Sequence, residues 1–257
     1  MKIKFAVPVL LFLCANIFAQ VKSPTPAPKA VPFSESLQAI AVSGDSWSSA
    51  TGKAQLFERK NKKSKWKAVG KSFPVVVGRN GFGLGVEMPE KRDMTDMVEP
   101  YKHEGDGKSP IGLFPLTSAF GTIEKPEYVK LPYTKLAEWT ECVDDVNSSF
   151  YNTIIDRMQV GNFDWKSSEK MLAVGAQYDL GVFIGYNSYP VKKDYGSCIF
   201  LHVWKDEKSG TSGCTATSKE NIETILGWLD AKKNPYLIQM PGKYITYYQS
   251  WKLPEIK

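Results

Sequence analysis

Two residues of this chain have the types and spacing for nucleophilic chemistry: Cys214, in the segment TSGCT, and His202, twelve residues before it. A thiol attacks as its thiolate, and a nearby imidazole or helix N-terminus favours that form. Gly213 lets the backbone turn tightly at the cysteine, so amide groups there could face a developing oxyanion. Read without chemistry, TSGCT is an ordinary turn and Cys214 a small buried hydrophobe. The partner is singled out by scarcity, because the chain holds only two histidines, His103 and His202. His103 lies in the polar, Gly-rich stretch KHEGDGKSP, which reads as a loop, whereas His202 lies near the end of SCIFLHV, which reads as a strand. A strand histidine is often only structural, but the segment WKDEKSGTSG could fold back and bring this one to Cys214.

A competing nucleophile is Cys198. It shares strand parity with His202, but four residues of strand separate them by about 13 Å, and direct proton transfer needs roughly 3 Å. Cys198 is therefore assigned to a disulfide with Cys142, the alternative being that both remain free thiols. Other chemistries find little support. No CxxC, HxxH or HExxH spacing occurs, so no metal site is expected and no cofactor is called for. GRNGFGLG (78–85) is rich in glycine, but the VEMPE after it does not open the helix that a dinucleotide site requires. Asp144 and Asp145 could orient an amine or simply form a solvated turn.

The elements that must position these residues are mostly strands. AQLFE, WKAVG, FPVVVG, IGLFPL, GVFIGYN and SCIFLHV are short apolar segments bounded by turn residues. A short helix is expected over 167–174. A clearer one follows Cys214: Thr217 and Glu220 form a capping box, and Ile222, Ile225, Leu226 and Leu229 fall on one face. Lys232, Lys233 and Pro235 close it. On this reading Cys214 lies about three residues before a helix N-terminus.

The chain opens with Met-Lys-Ile-Lys, an apolar run from Phe5 to Leu13 and a small residue at Ala19, the layout of a cleaved secretory signal over 1–19. The run is shorter than the roughly 20 residues of a spanning helix, and the bulky Phe12 and Leu13 before Cys14 disfavour a lipoprotein signal. Residues 20–32 read as a Pro/Ala-rich tether, and 33–257 as a single folded domain. Loss of Lys2 and Lys4 lowers the net charge from +6 to +4. That mildly basic balance, with Lys60, Lys62, Lys63, Lys65 and Lys67 as a solvated hairpin edge, gives no case for nucleic acid. An exported protein, in periplasm or cell envelope, follows as the expected location. After cleavage three cysteines remain, an odd count that fits one disulfide and one free thiol.

GDGKSPIGLFPL (105–116), FIGYN (183–187), GSCIFLHVW (196–204) and TSGCTA (211–216) together resemble the L,D-transpeptidase (YkuD-like) catalytic domain, over about 75–241. ECVDDVNSSFYN (141–152) resembles one branch of that family. The resemblance implies a mostly β domain with a few helices, a sandwich- or barrel-like sheet with the cysteine at the mouth of a cleft. It also implies cleavage between the third residue of a peptidoglycan tetrapeptide stem, usually meso-diaminopimelate, and the terminal D-Ala. Carried over, Cys214 is the nucleophile, His202 the general base and then acid, Gly213 with Cys214 the oxyanion donors, and Thr211 the residue supporting the loop. Ser212, Asp144, Asp145, Tyr151, Asn187 and Gly196 are candidate stem contacts. Many members carry an Arg two residues after the cysteine, where this chain has Ala216, so carboxylate recognition is sought at Lys108, Arg79 or Lys205. The expected partners are peptidoglycan stem peptides, with a diaminopimelate amine, an envelope-protein lysine or a D-amino acid as acceptor, and a monomeric enzyme. Water as acceptor would make the protein an L,D-carboxypeptidase, and a non-catalytic peptidoglycan-binding module is the alternative of another class.

Overall fold

The computed structural model describes residues 31–86 and 101–242. The expected signal segment, and all of the expected tether but Val31 and Pro32, lie outside the described residues. The folded part opens with a turn of 3-10 helix, Phe33–Glu35, and continues through β1 (Gln38–Gly44), β2 (Thr51–Glu58), β3 (Lys67–Val76) and β4 (Phe82–Leu84). Then come β5 (Ser109–Gly121), β6 (Tyr133–Lys135), β7 (Thr140–Cys142), β8 (Ile154–Asp156), β9 (Glu169–Lys170), β10 (Leu180–Ile184), β11 (Phe200–Val203) and β12 (Thr215–Thr217). A helix, α1 (Lys219–Trp228), and β13 (Tyr236–Pro241) complete the order.

One large sheet runs β10-β11-β12-β3-β2-β1-β13-β5-β4, and β10 also pairs with β5, so the sheet closes into a barrel. Closure depends on β5 changing partners along its length. Gly112 to Pro115 pair with β13, whereas Leu116 to Gly121 pair with β10. Pro115 stands at the switch, where its missing N–H leaves no ladder donor unpaired, and Gly112 adopts a φ of 146°. The fold is thus mostly β, as the short apolar segments imply. WKAVG and FPVVVG belong to one strand, β3, with Gly70 at a φ of 65° between them. The lysine cluster lies where β2 turns into β3, and its lysines are exposed.

Helix α1 covers the barrel wall with the face that the spacing predicts: Ile222, Ile225, Leu226 and Leu229 are all 0–1% exposed. Burying four such side chains is worth on the order of 6–10 kcal/mol before the entropy of ordering them. Its start departs from the expectation by one residue. Ser218 is the N-cap and accepts from the Asn221 N–H, while the Thr217 hydroxyl is donated to the Pro74 carbonyl at 2.7 Å. The helix ends at Trp228, and Ala231–Lys233 form a separate 3-10 turn.

The expected helix over 167–174 is replaced by β9 and a 3-10 run, Met171–Tyr178. Pairing decides this: Glu169 and Lys170 meet Cys142 and Glu141 of β7, making a small second sheet, β8-β7-β9. Gly175, at a φ of 78°, breaks the 3-10 run beyond it. Among the described residues no helix is long and apolar enough to cross a membrane.

Candidate active site

Cys214 immediately precedes β12, and His202 lies on the neighbouring strand β11, in register with Ala216 of β12 on one side and Gly181 of β10 on the other. The small neighbours leave room for the imidazole, and the parallel pairing makes Cys214 and His202 diagonal neighbours, a relation that long side chains can span. Ala216 is wholly buried. It belongs to the strand that packs beside His202.

The strand between Cys214 and α1 overturns the expected helix-terminus activation. Four residues separate Cys214 from Lys219, three of them extended in β12. A helix dipole acts within about its first turn, so it does not reach the sulfur. The sulfur is instead buried in a second core of Phe120, Leu136, Met171, Tyr178 and Phe200, beside the Cys142–Cys198 bond. It accepts from the Phe200 N–H at 3.3 Å and donates to the Cys198 carbonyl at 3.5 Å. The Tyr178 hydroxyl nearby favours the thiolate. Burial, with the charge of Glu169 adding to it, pushes the thiol up to about 12. Cys214 is the free cysteine among the described residues. Cys198 stands before β11 with a φ of 55°, outside the strand on which its parity with His202 was reckoned.

The imidazole of His202 is 4% exposed, and burial lowers it to about 4, so it is neutral at pH 7. Its Nδ1 faces the Val203 carbonyl at 2.8 Å, and the ring of Tyr178 meets it edge-on at 5.2 Å. His103 is half-exposed, with its Nδ1 3.2 Å from the Asp194 carbonyl in a loop remote in role from Cys214.

Two hydroxyls hold the cysteine loop. Thr211 donates to the Cys214 carbonyl at 2.6 Å and accepts from the Gly213 N–H at 3.1 Å. Ser109, fully buried, donates to the carbonyls of Gly213 and Cys214 at 2.8 and 3.0 Å. The Gly213 amide is therefore engaged within the loop, which leaves the Cys214 amide as the candidate oxyanion donor. Ser109 belongs to the GDGKSP motif but shows its role only in three dimensions.

The candidate stem contacts divide. Ser212 is exposed at the rim, where it accepts from the Arg79 guanidinium at 3.0 Å. Four others make contacts within the fold. Asn187 spends its amide on the carbonyls of Lys192 and Gly196 and on the Lys192 N–H, shaping the 187–196 loop. Tyr151, 3% exposed, donates to Glu104 at 2.5 Å. Asp145 accepts from the N–H groups of Asn147 and Lys166, the turn role. Gly196 leaves space for the Lys102 side chain, whose Cε would lie 2.7 Å from a Cβ there. Asp144 differs, since its Oδ1 is buried with no hydrogen-bond partner.

Of the expected cations, Arg79 and Lys108 lie near the cysteine loop and Lys205 is exposed. The sequence gives no sign of Lys102. This lysine is 2% exposed, paired with Asp106 at 2.8 Å, and its Nζ would lie 3.4 Å from a Cβ on Gly213. Its charge favours the thiolate of Cys214. A cavity of about 670 Å³ is lined by Ser148, Tyr151, Asn152, Phe183, Tyr189 and Lys193 among others. Phe183 separates it from the Cys214 core, packing on Phe200 at 5.8 Å.

Compared with known proteins, the chain matches no curated protein and no solved structure. The family model described as the L,D-transpeptidase catalytic domain, YkuD, matches residues 53–238, which run from within β2 to the first half of β13 and include every residue of the site. A barrel-like sheet that sets a free cysteine beside a strand histidine, matched over that span, places this chain in the YkuD family of L,D-transpeptidase catalytic domains, enzymes of peptidoglycan.

Proposed function

We propose that this protein is a peptidoglycan L,D-transpeptidase that works through a cysteinyl acyl-enzyme. Cys214 attacks the diaminopimelate carbonyl of a tetrapeptide stem, D-Ala leaves, and an amine takes the acyl group. His202 serves as general base and then acid, oriented by the Val203 carbonyl. The Cys214 amide, in a loop held by Thr211 and Ser109, receives the oxyanion. The observation that carries this reading is the free thiol of Cys214, diagonal to His202 across paired strands. Lys102 beside Gly213 adds a cation close to where the oxyanion would form. Ser212 and Arg79, at the exposed rim, are placed to meet the stem. The signal-like first residues support export to the periplasm or envelope. A diaminopimelate amine, a protein lysine and a D-amino acid are the acceptors to be compared, with water as the carboxypeptidase outcome.

Incubating the purified protein with tetrapeptide muropeptides and analysing the products by mass spectrometry tests this. Loss of D-Ala with new amide-linked products is expected, and Cys214→Ala should lower turnover by at least about 10³-fold. Full activity in that variant would sink the assignment, and tripeptides alone would identify the hydrolase.

A further inference from the structure

The cavity of about 670 Å³ between β5, β6, β10 and the segments 148–154 and 188–193 has no part in the transferase reading. Its size falls within the roughly 300–1,000 Å³ of small-ligand sites. A β-bulge builds one wall. Ser118 of β5 pairs with Phe183 of β10, and Leu116 pairs with Ile184, so Thr117 between them stands opposite no residue. Adjacent residues of a regular strand face opposite ways, but a bulge re-aims its extra residue, and here Thr117 and Ser118 both line the cavity. Thr134 of β6, which pairs with β5, lines it too. The loop 188–193 supplies Tyr189, 53% exposed, and Asn187 shapes that loop through the carbonyls of Lys192 and Gly196.

This lining has the chemistry for a neutral ligand rich in hydroxyls. The side-chain hydroxyls of Thr117, Ser118, Thr134 and Tyr189 have no hydrogen-bond partner among the described residues. Those of Thr153 and Ser188, by contrast, are spent on the carbonyls of Phe150 and Tyr186. A hydroxyl both donates and accepts, so the four free groups match the hydroxyls and acetamido group of a sugar in either role. No carboxylate is among the described lining residues, and their one cation, Lys193, has its ammonium 3.4 Å from the Asn147 carbonyl. A peptide stem, with its carboxylates and amine, would find almost no countercharge there. The rings of Phe183 and Tyr189 offer apolar faces for the C–H side of a sugar, and the Tyr189 hydroxyl offers a polar tip.

One aromatic layer separates the cavity from the nucleophile. Phe183 lines it and packs on Phe200 at 5.8 Å, and the Phe200 N–H reaches the Cys214 sulfur at 3.3 Å. Asn152, also in the lining, accepts from the Cys198 N–H at 2.9 Å, and the Cys198 carbonyl faces the sulfur at 3.5 Å. In peptidoglycan the third stem residue carries the reacting carbonyl, and the first is joined to an N-acetylated sugar of the glycan strand. Three extended residues span about 10 Å, enough to cross such a layer.

We propose that this cavity is a glycan subsite, which binds an N-acetylated sugar of the strand while the stem attached to it lies at Cys214. The proposal rests on the transferase reading for what lies at the cysteine. Binding of the sugar itself needs no chemistry there.

Two measurements on the full chain test it. The first is calorimetric binding of the β-1,4-linked N-acetylglucosamine tetramer, which carries no peptide, to wild type, Tyr189→Ala and the triple variant Thr117→Val/Ser118→Ala/Thr134→Val. Saturable binding in the millimolar range or tighter is expected for wild type, and weakening by about tenfold or more in either variant. The second compares a disaccharide-tetrapeptide with the same tetrapeptide lacking sugar. Wild type should show kcat/KM about tenfold higher for the sugar-bearing substrate. Both variants should lose most of that advantage and keep their turnover of the bare stem. Thr117, Thr134 and Tyr189 are exposed and Ser118 half-buried, so the fold tolerates these changes, and circular dichroism checks that it does. Absence of saturable binding up to about 10 mM tetramer, equal binding by wild type and both variants, or equal turnover of the two substrates overturns the proposal. Loss of bare-stem turnover in the variants to the same degree also overturns it, because the cavity then takes peptide. Variant-sensitive binding of the tetramer without turnover of either substrate sinks the transferase reading only, and amide transfer that ignores the sugar sinks the subsite only.

Discussion

Two glutamates one strand apart, Glu141 on β7 and Glu169 on β9, show how the same side chain is turned to opposite uses. Glu141 is wholly buried and saturated. Lys170 pairs with it, Arg157 reaches it at 3.3 Å, and the Trp165 indole and Ser168 hydroxyl donate at 2.8 and 2.7 Å. Burial alone would raise its pKa, but these hydrogen bonds prevail and hold it at about 2. Glu169 receives one donor, the Tyr178 hydroxyl, and faces the like charges of Asp144 and Glu104. Burial is then opposed by little, and the carboxyl rises to about 7. The first glutamate is a permanent anion that ties the small sheet together. The second is a group able to exchange a proton, and it stands on the side of that sheet facing Cys214.

The comparison can be broken most forcefully at the bond between the two strands and the barrel. Cys142 follows Glu141 in β7 and lies opposite Glu169, and its disulfide spans 56 residues to Cys198. Chain-entropy arguments put the stabilisation from a loop of that length at about 4 kcal/mol. Reduction, or the Cys142→Ser/Cys198→Ser double variant, should lower the free energy of unfolding by that amount in urea titrations at pH 7. A change below about 1 kcal/mol would mean that the small sheet holds its place without the bond.

The next largest effect is expected at Glu141. Replacing it by alanine strands the Trp165 N–H and leaves Lys170 and Arg157 without their anion, at a cost of about 3 kcal/mol. A melting temperature within a degree or two of wild type would show that the four donors find other partners, and Glu141 would lose its standing as the structural member of the pair.

How much of this was legible in the chain differs by level. The apolar face of α1 and most of the barrel strands follow from periodicity and turn residues, because those patterns are local. Cys214 and His202 stand out by scarcity and spacing. The helix expected to activate Cys214 does not, because Thr215 to Thr217 pair with β11 and put a strand between the sulfur and the helix. The segment 167–174 reads as helix for the same kind of reason: β7, distant in sequence, recruits Glu169 and Lys170 as a strand. Lys102 and Ser109 gave no signal as site residues. Their roles come from tertiary neighbours, and nothing in Tyr-Lys-His distinguishes a buried side chain that meets the cysteine loop from a solvated one. Asn187 and Tyr151 lie in motif segments, but their hydrogen bonds serve loop shape.

The smallest effect is the most discriminating one for the two glutamates, because its sign separates them. Glu169 has a folded pKa of about 7 against an ordinary carboxyl value of 4.5, so its contribution to stability is fully present below 4.5 and lost as pH rises to 7. Glu169→Gln removes the ionisation and should therefore leave stability nearly unchanged at pH 4.5. At pH 8 it should raise stability by about 1 kcal/mol, a discounted fraction of the shift, since Glu169 is partly exposed. His202 runs the other way: its folded value of about 4 means that stability is lost as pH falls from 6.5 to 4. Because wild type and Glu169→Gln share His202, its slope cancels in the difference between their melting temperatures at each pH. That difference should open between pH 4.5 and 7 and stay level above. If Glu169→Gln is instead less stable than wild type at pH 8, Glu169 is a structural anion like Glu141, and the contrast between the two strands fails.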